Sequence, residues 1–128
     1  MKYFSGTGTY HAVLHIPSAL LTPQRQLWLN LGQVREIASV AVNGISVQTL
    51  WRAPFVVRID PVLHVGDNTL EIQVTNLWPN RIIGDLQPSA TERYTHTNVR
   101  VYTKDSPLLP SGLLDPVTVQ FGNIRRFR

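Results

Sequence analysis

The chain has 128 residues, a formal charge of +4, no cysteine and three tryptophans. That length makes one domain, able to bury roughly two-thirds of its unfolded surface without staples. The missing cysteines exclude a disulfide framework, a thiolate nucleophile and a cysteine metal site.

Arg125, Arg126 and Arg128 hold three of the four net charges, so the body carries +1 and a solvated tail explains the basic balance better than a nucleic-acid surface. Basic and aromatic residues do not interleave as base-stacking surfaces require. No run of 18 apolar residues suits a membrane span, and MKYFSGTGTY has no apolar core of signal-peptide length.

In chain order, residues 1–5 read as loose. After Gly6-Thr7-Gly8, Tyr10, Ala12, Leu14 and Ile16 alternate with His11, Val13 and His15, a strand ended by Pro17. His11 and His15 are four apart, which on a strand is on the order of 13 Å, too far to share an ion. A loop over 18–26 leads to Leu27, Leu29 and Leu31 on one face of a second strand, with Trp28 on the other.

Residues 36–60 organise the rest. Asn43-Gly44 between alternating strands predicts a type I′ hairpin, because both central residues need positive φ. The expected register sets Val42 against Ile45, Val40 against Val47 and Ala38 against Thr49. Pro54 then opens a strand with Phe55, Val57 and Ile59 inward. A turn at Val65-Gly66-Asp67-Asn68 precedes Leu70, Ile72 and Val74 in strict alternation.

From Asn76 the pattern breaks for more than twenty residues, a length of irregular chain that is usually functional or mobile. Strand pattern returns with Val99 and Val101, then a proline-rich loop, then Val117, Val119 and Phe121. About eight short strands and no helix-period segment of normal length predict an all-β antiparallel sandwich of the jelly-roll kind, with its core over 6–121 and a basic tail over 122–128.

Catalytic constellations are scarce. Asp60, Asp67, Glu71 and Asp115 fall at strand ends, turns or outward positions, and no carboxylate pair is marked by spacing for glycoside hydrolysis. The long loop differs, because Trp78, Asn80, Arg81 and Asp85 put an aromatic plane, an amide, a guanidinium and a carboxylate within eight residues. That set suits stacking on a sugar and bidentate hydrogen bonding to it. The reading set against it, and preferred on sequence alone, is structural, with Trp78 packed under the loop and Arg81 paired to Asp85.

The blocks GTGTYHAVLHIP, LWLNLGQVREIASVAVNGISVQTLWRAPFVVRID, VGDNTLEIQVTNLWPNRIIGD and DSPLLPSGLLDPVTVQF resemble the C-terminal galactose-binding-like sandwich of α-L-rhamnosidases of glycoside hydrolase family 106. The first three are also similar to the sugar-binding domain of family 2 glycosidases. Leu50-Trp51, Asn76 to Asp85 and Pro110 to Leu114 favour the rhamnosidase. The resemblance implies a non-catalytic accessory module that binds carbohydrate or docks on a catalytic barrel, with Trp51, Trp78, Asn80, Arg81 and Asp85 as the contact residues. It also implies that the catalytic acids lie in that barrel, so none transfers to this chain. A structural calcium is frequent in such sandwiches, with no ligands assignable here. The alternatives are a lectin-like protein, a small hydrolase and, last, a nucleic-acid binder.

Overall fold

The computed structural model describes residues 2–98 and 100–123. The chain forms β1 (Thr7–Ile16), β2 (Arg25–Asn30), β3 (Val34–Arg35), β4 (Ile37–Val42), β5 (Ile45–Leu50), β6 (Val56–Arg58) and β7 (Gly66–Thr75). A helix α1 (Pro79–Asp85) follows, then β8 (Gly112–Leu113) and β9 (Thr118–Asn123). One antiparallel sheet runs β1-β7-β4-β5, a second runs β6-β2-β9, and β3 pairs with β8. The two larger sheets enclose one apolar core, which makes the fold an all-β sandwich.

Period-2 alternation fixes which side chains enter that core. Ala38, Val40, Val42, Leu70, Ile72 and Val74 come from one sheet. Leu27, Leu29 and Val57 come from the other, joined by Leu31, Phe55 and Ile59 at the strand ends.

The hairpin turns where expected, with Asn43 at φ 52° and Gly44 at φ 75°. Val42 faces Ile45, but Val40 faces Gln48 rather than Val47, and Ala38 faces Leu50 rather than Thr49. The expected register therefore fails beyond a β-bulge at Val40/Ala41. The bulge has a clear benefit: in the unbroken register Thr49 would face the core and Leu50 solvent, whereas here Leu50 is buried and the Thr49 hydroxyl meets that of Ser39 at 2.9 Å.

The tip of this hairpin is locked to the turn before β7. Asn68 is fully buried and donates through Nδ2 to the carbonyls of His64 (2.8 Å) and Gly66 (3.0 Å). Its Oδ1 accepts from His64 N (2.9 Å) and from Asn43 Nδ2 (2.8 Å), while Asn43 Oδ1 takes Thr69 N (3.0 Å). The Val-Asn-Gly and Gly-Asp-Asn blocks, far apart in sequence, are thus one hydrogen-bonded knot.

Three other expectations are corrected. Tyr10 and Ala12 on β1 and Phe121 on β9 have inward register but stand exposed, Phe121 at 61%, because both strands are sheet edges. Val101 lies in irregular chain, while Val99 and the arginines of the tail lie outside the described residues. The stretch after Asn76 is not wholly irregular, since α1 gives it two turns. His11 and His15 sit on the outer face as expected, each across from a carboxylate, with His15 Nδ1 2.6 Å from Asp67 Oδ1.

Candidate functional site

The site is built around α1, which leaves the end of β7. Asn76, just past that strand, accepts Gly6 N at its Oδ1 (2.8 Å) and donates from Nδ2 to the Phe4 carbonyl (2.9 Å), pinning the N-terminal segment alongside. Pro79 starts the helix, where a missing N–H costs nothing. Seven residues are too few for a helix to persist alone, so its order comes from tertiary contacts. Ile83 is buried, and Gly84 faces Tyr3 so closely that an added Cβ would lie 2.5 Å from the tyrosine Cβ.

Asn80 is also buried and serves as a clamp. Its amide donates to the Leu109 carbonyl and accepts Leu109 N, both at 2.8 Å, which binds the helix to the proline-rich loop. Both polar atoms of its amide are thus engaged within the chain.

Asp85 is the centre of the arrangement, 3% exposed. Oδ1 accepts Arg81 Nε at 2.8 Å and Arg81 Nη2. Oδ2 accepts Tyr94 N (2.9 Å), Thr95 N (2.7 Å) and Thr95 Oγ1 (2.7 Å). Burial pushes this carboxyl up, but the bonds from Thr95, Arg81 and Tyr94 outweigh it and hold the group below its ordinary range. Arg81, fixed at one edge by Asp85, lies over the Tyr94 ring at 4.9 Å from its centroid. The Tyr94 hydroxyl donates to Glu92 at 2.6 Å, and that bond raises the phenol pKa.

The result is a groove of about 440 Å³ walled by Phe4, Trp78, Arg81, Tyr94 and Thr95 and floored by Gly6, Thr75 and Asn76. Trp78 is 64% exposed and Tyr94 65%. The expected pairing of Arg81 with Asp85 is present, while Trp78 stands out from the loop instead of packing beneath it. Trp51, 67% exposed, does not line this groove: its ring lies under the Arg52 guanidinium (5.0 Å), at the same end of the sheet but beyond β4. Of the five residues singled out from sequence, Trp78 and Arg81 wall the groove, Asp85 and Asn80 support it, and Trp51 stands apart. Tyr94 and Thr95 were missed, and no spacing could have found them, because Asp85 and Arg81 of the helix draw them in from further along the chain.

Among the described residues no three His, Asp or Glu side chains converge, so the donors present do not form a carboxylate cage for the calcium that the resemblance implies. Among the described residues no helix is long and apolar enough to cross a membrane.

No protein-family model matches the chain. A rhamnosidase from Novosphingobium sp. PP1Y matches 94% of this chain with a TM-score of 0.87 and 44% identity, over 11% of its own length. A Formosa agariphila protein provisionally named a β-glucuronidase is 38% identical over 142 residues, 93% of this chain and 12% of its own. The β-glucuronidase of Bifidobacterium dentium, solved with coumarin-3-O-glucuronide, matches 55% of this chain at a TM-score of 0.50 and 25% identity. The chain spans 12% or less of each of these proteins.

Fold and matches together define the class: a small β-sandwich domain of the sort carried inside much larger glycosidases. Within that class the rhamnosidase sandwich matches nearly the whole chain and the glucuronidase sandwich just over half, in line with the rhamnosidase resemblance of the sequence blocks.

Proposed function

We propose that this chain is a non-catalytic accessory module of a glycoside hydrolase and that it contacts carbohydrate through the groove beside α1. One observation carries the reading: two aromatic rings, Trp78 and Tyr94, stand in solvent over a groove whose wall is pre-set by the buried Asp85. The Tyr94 ring, held by Arg81 and Glu92, presents a stacking surface with little entropy left to lose, which is how preorganised sites gain affinity. The unused edge of Arg81 and the hydroxyls of Ser5 and Thr95 supply hydrogen-bonding groups around it. Sugars of the classes named for the similar proteins, rhamnosides and glucuronides, are the ligands to try first.

A second reading, docking on a catalytic domain, is favoured by Leu77, which is exposed next to Trp78 and extends the apolar surface beyond what a sugar ring covers. A glycan array probed with the isolated protein, in parallel with immobilised catalytic domain of a similar rhamnosidase, separates the two. Retention on rhamnose- or glucuronate-bearing glycans supports carbohydrate contact. Retention on the catalytic domain alone supports docking, and retention on neither overturns both.

A further inference from the structure

A second groove lies behind the first, sharing Thr95 as a common wall, and its chemistry is different. It measures about 590 Å³ and is lined by Arg93, His96, Arg100 and Lys104 together with Tyr102 and the hydroxyls of Thr95 and Thr103. The carboxylate that borders it, Asp85, is spent: both oxygens are filled by the two Arg81 donors and the donors of Tyr94 and Thr95. Lys104 is shared with Asp105 at 3.0 Å. Arg93 and Arg100 have no carboxylate partner among the described residues.

Elsewhere in the body, Arg58 pairs with Asp60, Arg81 pairs with Asp85, Arg25 covers Phe121 and Arg52 covers Trp51. Arg93 and Arg100 thus both border this one concave place without an acidic partner, although the body of the chain carries only +1. A concave, one-signed surface concentrates anions, and guanidinium forks match the planar carboxylate and the sulfate ester.

We propose that this groove is an anion subsite that selects an acidic oligosaccharide, taking the carboxylate or sulfate groups of a chain whose uncharged faces stack on Trp78 and Tyr94. The proposal rests on the carbohydrate reading for the sugar and on Arg93 and Arg100 for the charge. Threonine hydroxyls between the cations suit ring hydroxyls, which favours glycan over nucleic acid.

The test uses the full chain and calorimetric titration with an oligogalacturonate, a chondroitin sulfate oligosaccharide, the carboxyl-reduced neutral form of the first, and a single-stranded oligonucleotide. The expected result is binding of at least one acidic oligosaccharide at least five- to tenfold tighter than the neutral form. That scale corresponds to about two half-exposed charge-assisted contacts. The Arg93→Ala/Arg100→Ala variant, changed only at exposed loop positions, should lose that preference while keeping its melting temperature and its affinity for the neutral sugar. Equal binding of acidic and neutral sugars, a preference that survives in the double variant, an oligonucleotide that binds as tightly as the glycans, or no binding of either acidic probe at millimolar concentration each overturns the proposal. Trp78→Ala distinguishes the two readings. If it leaves every glycan affinity unchanged while the double variant abolishes the acidic preference, the stacking reading fails and the anion subsite stands.

Discussion

Replacing Asp85 by alanine tests whether the groove is held open by one carboxylate. The side chain accepts five hydrogen bonds, two from Arg81 and three from Tyr94 and Thr95, and it is 3% exposed. Removing one partner of a buried ion pair costs about 3–5 kcal/mol. Arg81 is partly exposed and can turn to water, which discounts the cost to just below that range, about 2–3 kcal/mol. For a domain of this length 1 kcal/mol corresponds to about 4 °C, which gives a fall in Tm of about 8–12 °C. Differential scanning fluorimetry measures the fall, and hydrogen exchange at the Tyr94 and Thr95 amides locates it. A variant that melts within about 2 °C of wild type with both amides still protected would refute the reasoning.

Asn68→Ala should cost about 4 kcal/mol, since its four shorter hydrogen bonds, worth roughly 1 kcal/mol each net, are lost in a fully buried site, and chemical denaturation reads it directly. Gly84→Ala should leave global stability within about 1 kcal/mol, the helix gain offsetting the clash. Its signature is release of the Tyr3 segment, seen as faster proteolysis near residues 2–5. Asp85 and Asp60 both titrate below the ordinary 3.8, the first for the reasons above and the second through the Arg58 fork and Leu27 N. Their folded pKa values are depressed, so the stability they contribute is complete above about pH 4 and is lost as pH falls through the folded values. Acid unfolding followed by circular dichroism should accordingly flatten in Asp85→Asn.

Strands with a strict period were legible in the sequence. Leu70, Ile72 and Val74, the Leu27 row and the Asn43-Gly44 turn each obey a local rule, and each lies where that rule puts it. What was not legible depended on contacts between distant segments. The bulge that turns Leu50 inward is decided by what β4 and the core offer, not by β5 itself. A seven-residue helix shows too little of its period to register, and its order rests on Leu109, Tyr3 and Thr95, which no window around Asn80 contains. At the site, the i to i+4 spacing exposed the Arg81 and Asp85 pair. The exposure of Trp78 and the arrival of Tyr94 at Arg81 required the folded chain.

The central claim is that Trp78 and Tyr94 form a working surface. Its most direct measurement is calorimetric titration of a rhamnose- or glucuronate-containing oligosaccharide, chosen as the strongest array hit, into wild type, Trp78→Ala and Tyr94→Ala. Both rings are exposed, so neither variant should lower Tm appreciably. Burying the Trp78 ring against a ligand is worth about 1.5–3 kcal/mol, so affinity should fall about ten- to hundredfold in Trp78→Ala, with a smaller fall in Tyr94→Ala. Two folded variants that bind the same ligand as tightly as wild type would contradict the account.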